Sequence, residues 1–265
     1  MQTTLDDSVL RFERAKRRLD ALDADVGAFL SEAQEHLLTV KADLQGDSYD
    51  ARWFCERVPD PNVWWPLDIS EVLFHLRSCL DFMASGFGGK GFPIFKTCKR
   101  YHAKLANGTP RPQTGGYLTQ GMHRLLAEAV EAEQPYNVYP EEPHRDPLVL
   151  LDRFRNWDAH ADFHAIRAAL IVNAYDIIQG EFTGVKFRTM KPGPLNEGMQ
   201  VARFTGKLVR PAPPEVTVRL KSTLTIAFAD RGPARGELVS PILTDIYNRV
   251  SGVGERLRDA WRQTL

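Results

Sequence analysis

Apolar residues at Leu5, Val9, Phe12, Leu19, Leu22, Val26, Phe29, Ala33 and Leu37 recur at steps of three, four or seven with charges between them. That spacing predicts a long amphipathic helix from Leu5 to about Leu37. Over 37–58 the pattern alternates around Gln45-Gly46-Asp47-Ser48, which predicts a hairpin with Leu38, Val40, Ala42 and Leu44 on one face. Pro59, Pro61 and Pro66 read as a rigid connector. Asp68 or Ser70 then caps a second helix, which runs to about Phe87 and is stopped by Gly86, Gly88, Gly89 and Gly91. Residues 91–120 carry little periodicity beyond Phe92-Pro93-Ile94-Phe95 and read as a long surface excursion. A short helix from about Thr119 to Ala132 and a loop from Gln134 lead to Asp146 and Pro147, an N-cap followed by proline at the first helical position. Leu150, Phe154, Trp157, Phe163, Ile166, Leu170, Ala174 and Ile177 carry that helix to Gly180 as the longest in the chain. Beyond Gly180 the period falls to two, giving three strands around 182–187, 199–209 and 216–228, and a last amphipathic helix runs from about Glu237 to Trp261.

The expected fold is therefore α+β in one domain spanning 1–265. A bundle of about four main helices, with its helical core at about 1–35, 67–180 and 236–262, packs with an antiparallel sheet. The sheet combines the hairpin at 37–58 with the three strands of 181–230. A chain of 265 residues, 43% of them hydrophobic, can bury such a core without covalent staples. Three cysteines, Cys55, Cys79 and Cys98, are an odd number with no C-x-x-C pair, which points to a reducing, cytoplasmic setting. The start of the chain lacks an export signal, and no window approaches about 18 uncharged apolar residues, so no membrane contact is expected. With 34 basic and 34 acidic side chains the net charge is zero, and any attraction to a polyanion has to come from a local cleft.

Smaller features have ordinary readings. The basic run Arg14, Lys16, Arg17 and Arg18 reads as a solvated helix face, with RNA or a partner as the alternative. Trp64 and Trp65 are expected to cover the bundle end or, where exposed, to stack on a base, and Cys79 to be an inert core thiol. No phosphate-loop, dinucleotide-loop or nucleophile-elbow string occurs.

The most informative string runs from Leu150 to His164 and contains Arg155, then Asn156, then His160 four residues later. It resembles the signature of the HEPN superfamily, helical-bundle proteins that carry an Arg, polar residue, spacer, His motif near the start of a late helix. In that family two motifs meet across a homodimer and cleave RNA without metal. The resemblance implies Arg155 and His160 as catalytic residues assisted by Asn156, with no cofactor. It also implies binding roles for Asp158, His75, Arg77, Ser78, Asp81 and His164.

The chemistry suits the residue types. Attack of a ribose 2′-hydroxyl on the neighbouring phosphate builds negative charge, which a guanidinium stabilises bidentately. An imidazole near its intrinsic pKa can exchange the proton. Five residues apart on one helix, Arg155 and His160 differ widely in azimuth, so a dimer or a helix start is part of the hypothesis. The plain alternative pairs Arg155 with Asp152 or Asp158 and hydrogen-bonds His160 inside the bundle; Arg153 with His160 offers a second match to the spacing.

On the earlier helix His75, Ser78 and Phe82 share a face, and Arg77 and Asp81 form an i, i+4 pair. The strings His75-Leu76-Arg77-Ser78-Cys79-Leu80-Asp81, Phe92-Pro93-Ile94-Phe95, Gln134-Pro135-Tyr136 and Asn156-Trp157-Asp158-Ala159-His160 together resemble a widespread group of bacterial proteins over about residues 65–165. The chain departs from that group at Leu76, where the group has Asn, and at Ala159 and Ala161, where it has Lys and Arg. Three function classes follow. They are a metal-independent endoribonuclease of the toxin or phage-defence kind, a non-catalytic HEPN-like module binding RNA, nucleotide or protein, and a metal-site protein using His160 and His164 with Asp158, Asp162 and His75.

Overall fold

The computed structural model describes residues 2–33, 37–160, 166–209, 217–229 and 231–265. The first amphipathic pattern forms helix α1 (Gln2–Ala33), whose Ala15, Leu19, Leu22 and Val26 are buried one or two turns apart. The hairpin follows as β1 (Leu38–Gln45) and β2 (Ser48–Cys55), joined at Gly46, which takes a positive φ of 66°. β2 buries every second residue, Tyr49, Ala51, Trp53 and Cys55. The expected apolar face of β1 stays open, with Val40 53% and Leu44 47% exposed, because β1 is a sheet edge.

Helix α2 (Trp65–Gly86) begins earlier than its sequence signals suggest. Trp64 occupies the N-cap without a side-chain bond and Pro66 lies in the first turn, so neither Asp68 nor Ser70 caps it. Trp65 is buried against Phe29 as a lid on the bundle, whereas Trp64 is exposed. The excursion that follows is partly interior. It contains short helices α3 (Cys98–Tyr101) and α4 (Gly115–Leu118), and Phe92, Tyr101 and Gly115 are buried. Next come α5 (Arg124–Ala132), which starts five residues later than expected, and the single turn α6 (Pro135–Val138).

Asp146 and Pro147 open helix α7 (Pro147–His160) as the sequence indicates, the Leu148 amide donating to Asp146 Oδ1 at 2.8 Å. The largest departure lies beyond it. Instead of a helix continuing to Gly180, α7 is described to His160 and Ile166–Gln179 forms a 14-residue strand, β3. Phe163, counted on the helix, lies outside the described residues. Ile166, Ile171, Val172, Ile177 and Ile178 are β-branched, and pairing with β7 (Thr217–Phe228) along the whole segment decides the outcome.

The remaining strands are β4 (Phe182–Thr189), β5 (Gly193–Pro194) and β6 (Gln200–Leu208), and helix α8 (Val239–Arg262) closes the chain. The fold is α+β, but the C-terminal strands divide between two antiparallel sheets, β1-β2-β6-β4 and β5-β3-β7. The sheets share an apolar layer in which Tyr175 of β3 meets Phe187 at 4.7 Å and Phe204 at 5.0 Å between ring centroids. Helices α1, α2, α7 and α8 enclose the second core, which β7 also enters through Ile226 and Phe228. No helix among the described residues is long and apolar enough to cross a membrane.

One surface cluster gives a test of sheet electrostatics. Arg52 of β2 and Arg203 of β6 sit directly opposite each other, and Asp50 bonds both, at 2.5 Å to Arg52 and at 2.8 and 3.0 Å to Arg203. Hydrogen bonds from Arg203 and then Arg52 hold the Asp50 carboxyl down to about 2. Its folded value lies below its unfolded one, so the contribution is complete above about pH 4 and is lost as the pH falls towards 2. Both arginines are about half exposed, which limits the gain to about 1 kcal/mol. Asp50→Asn is expected to lose that much near neutral pH in urea unfolding and to converge on the parent as the pH falls; a gap that stays constant with pH would contradict it.

Candidate functional site

Three of the four strings that carry the bacterial resemblance converge on one piece of backbone. Arg77 and Asp81, one turn apart on α2, are bridged at 3.1 Å. The Arg77 guanidinium donates to the Phe92 carbonyl at 2.9 Å, and the Phe92 amide donates to Asp81 Oδ1 at 3.0 Å. From the other side Gln134, fully buried, donates through Nε2 to the carbonyls of Pro93 and Val130 and accepts from the Phe95 amide at 3.0 Å. The Phe92–Phe95 segment is thereby clamped between α2 and the end of α5, with its buried polar groups answered by side chains. Arg77 and Asp81, expected at a binding site, spend bonds on the chain's own backbone.

Arg77 also faces α7. Burial lowers its pKa most; Asp81 and Asp152 support its charge, and Arg155 opposes it. Its Nε and one terminal nitrogen are buried with no hydrogen-bond partner among the described residues. Arg77, Asp152 and Arg155 thus share one electrostatic neighbourhood across the α2/α7 contact. Arg155 and Asn156 are exposed on α7, Asn156 donating weakly to Asp152 at 3.4 Å. Among the described residues no hydrogen bond or ion pair holds Arg155, so the expected alternative pairing with Asp152 or Asp158 is not formed there. Asp158 accepts from Ser70 at 3.1 Å, which fastens the end of α7 to α2.

His75 lies a turn before the clamp with Nε2 3.6 Å from Glu71 Oε1, and burial pushes its pKa down. Ser78 is half-buried on the same helix. His160 ends α7, but its side chain lies outside the described residues, as do His164 and Asp162 entirely. Asn156 therefore lies against Asp152, both Asp152 and Arg155 are within electrostatic reach of Arg77, and the imidazole partner lies outside the described residues.

The basic run on α1 is paired off. Arg14 and Arg18 reach Glu71 at 2.9 and 2.7 Å, Lys16 reaches Asp20 at 2.5 Å, and Arg17 reaches Glu13 at 3.6 Å. Cys79 is buried and its thiol is pushed up to about 12 by burial.

A buried ion network that sequence reasoning missed links α5, α7 and α8. Arg249, 8% exposed, donates to Asp146 at 3.1 to 3.3 Å, to a Glu133 carboxylate oxygen at 2.6 Å and to the Glu133 carbonyl at 2.7 Å. Arg256 also pairs with Glu133. Burial works against the Arg249 charge, but the hydrogen bonds it donates to Asp146 and Glu133, with their negative charge, outweigh it and hold its pKa above the ordinary value. Every group is answered within the network, which marks it as structural.

Two hollows lie away from α7's Arg155 face. An apolar cleft of about 330 Å³ opens between α1, α2 and α8, and a polar hollow of about 690 Å³ lies between residues 57–61 and the start of β3. For metal ligation, the group that gathers mixed donor atoms among the described residues is Cys98, His102 and Glu131. Comparison of the chain with protein-family models, with curated proteins and with solved structures finds no match in any of the three.

Proposed function

We propose that the solvent face of α7 binds RNA phosphate and that the chain is a metal-independent endoribonuclease of the HEPN kind, acting as a homodimer. The observation that carries this reading is Arg155, an exposed guanidinium that no described group neutralises, followed directly by exposed Asn156 on a helix braced from behind. A permanently charged planar fork suits the non-bridging oxygens of a phosphodiester as negative charge grows on them. In the proposed step the ribose 2′-oxygen bonds to the adjacent phosphorus and the 5′-oxygen leaves, giving a 2′,3′-cyclic phosphate and a 5′-hydroxyl end. His160, at the end of α7, takes the proton from the one and returns a proton to the other. A second copy supplies the complement that one helix cannot aim at the same atom. The overall charge is zero, so affinity depends on this local patch and falls as salt rises.

The test is the full chain with labelled RNA in excess EDTA. Cleavage to cyclic-phosphate ends is expected to fall by about 10²–10³-fold in Arg155→Ala. It is also expected to vanish in His160→Ala and to return when the two inactive variants are mixed and allowed to exchange subunits. Cleavage indifferent to Arg155→Ala would overturn the proposal. Ala159 next to His160, where the similar bacterial group has a cation, favours a second reading as a non-catalytic RNA-binding module. Binding lost in Arg155→Ala without any cleavage by the parent would select that one.

A further inference from the structure

We infer that Cys98, His102 and Glu131 form a binding site for a divalent cation of the zinc class, with one coordination position left open. The site lies outside α7 and does not rest on the ribonuclease reading. Cys98 and His102 are one helical turn apart, and the His102 amide closes that turn on the Cys98 carbonyl at 3.0 Å. Glu131 comes from α5, with its Oε1 2.6 Å from His102 Nε2. One donor atom from each of the three lies within 4.8 Å of the other two. A zinc ion takes sulfur at about 2.3 Å and nitrogen or oxygen at about 2.0–2.2 Å, so small side-chain rotations close the shell.

The His102–Glu131 contact alone would be an ordinary surface pair, and it does not account for a thiol brought to the same point. The surroundings hold all three donors in place. Tyr136 donates its hydroxyl to Glu131 Oε1 at 3.0 Å, which orients the carboxylate as an outer partner does, and Asn137 donates to the Glu131 backbone carbonyl at 2.7 Å, which holds the end of α5 in place. Tyr101, between Cys98 and His102 in sequence, is buried and packs edge-on against Phe95 and Tyr136. Its ring fills the space over Gly115, where an added Cβ would fall 2.1 Å away, so the short helix that carries two donors has a fixed seat.

The donor set indicates the ion. Thiolate with imidazole prefers zinc and its softer relatives over magnesium or calcium, and three protein donors leave a fourth position for water or an exogenous ligand. Cys98 and His102 are exposed and Glu131 is half-buried, so an ion has access from solvent. On binding, Cys98 gives up its thiol proton to solvent, and the ion ties α3 to α5.

The experiment uses the full chain freed of metal by chelation and dialysis, titrated with Zn2+ by calorimetry and with Co2+ by absorption. One equivalent should bind, Co2+ should show a sulfur-to-metal charge-transfer band, and excess Mg2+ should not compete. Cys98→Ser should abolish the band, and His102→Ala and Glu131→Gln should each weaken binding by more than about 100-fold. Tyr136→Phe, which removes only an orienting hydrogen bond, should weaken it by about 10-fold. The first two changes fall on exposed side chains, and circular dichroism confirms that each variant is folded. No zinc binding by the parent, or undiminished binding with an unchanged cobalt spectrum in Cys98→Ser, would overturn the inference.

Discussion

Replacing Arg249 with methionine is expected to lower the unfolding free energy by about 3–5 kcal/mol, because it leaves the carboxylate of a fully buried Asp146 without its cation. Domains of this class are stable by only about 5–15 kcal/mol, so the loss is a large share of the total. The hydrophobic stem of methionine fills much of the vacated volume, and the damage is therefore electrostatic. Glu133 retains Arg256, which is half exposed and can follow it. The double variant Arg249→Met with Asp146→Asn is expected to recover part of the loss. It removes the stranded charge, and an asparagine can still accept the Leu148 amide at the start of α7. Urea unfolding of the parent, the single variant and the double variant gives all three values. A single-variant loss below about 1 kcal/mol would mean that the network behaves as a solvated surface pair.

Phe154→Ala should cost a similar amount, about 3–5 kcal/mol, for a different reason. Phe154 is wholly buried, and its ring packs tilted against Phe228 at the end of β7, 5.1 Å between centroids, so it joins the late helix to the sheet. Removing it opens a cavity that the surrounding Leu148, Leu151 and Ile226 cannot close without moving α7. The neighbouring residue is Arg155, whose aim depends on that helix. Under the proposed ribonuclease reading, RNA cleavage per folded molecule is expected to drop as well, whereas Phe154→Leu should retain most of the stability. Full stability in the alanine variant would show that the helix and sheet are held together elsewhere.

The elements that could be read in advance are those whose decisive partners lie nearby. The α1 stripe, the Gly46 turn and the Asp146-Pro147 start each express a local rule about spacing, positive φ or an orphan amide. Residues 166–179 obeyed no such rule. Their apolar positions also fit a helical period, and what makes them a strand is β7, paired from Ile166 with Phe228 to Gln179 with Thr217. The division into two sheets was hidden for the same reason, since β6 pairs with β2 some 150 positions earlier.

The candidate site divides along the same line. Arg77, Asp81 and Gln134 were visible as unusual residues, but their target, the Phe92–Phe95 backbone, became visible only in three dimensions. Arg249 sits among the charges of an amphipathic helix and meets carboxylates 103 and 116 residues away. Cys98 and His102 stand one turn apart in the sequence, whereas Glu131 joins them from 29 residues beyond His102.

The order of strands and helices has a consequence for a chain made from its amino end. Hairpin β1-β2 emerges early, yet the strand that covers its inner edge arrives only with residues 200–208. The bundle stays open longer still, because Val239, Leu243, Ile246, Val250, Val253 and Leu257 of α8 form its final wall. At about 5–20 residues per second, Tyr49, Trp53 and the inner faces of α1 and α2 wait many seconds on the ribosome with apolar surface uncovered. Helix α8 acts as the keystone of the assembly, and synthesis that halts before it leaves a chain suited to chaperones and proteases.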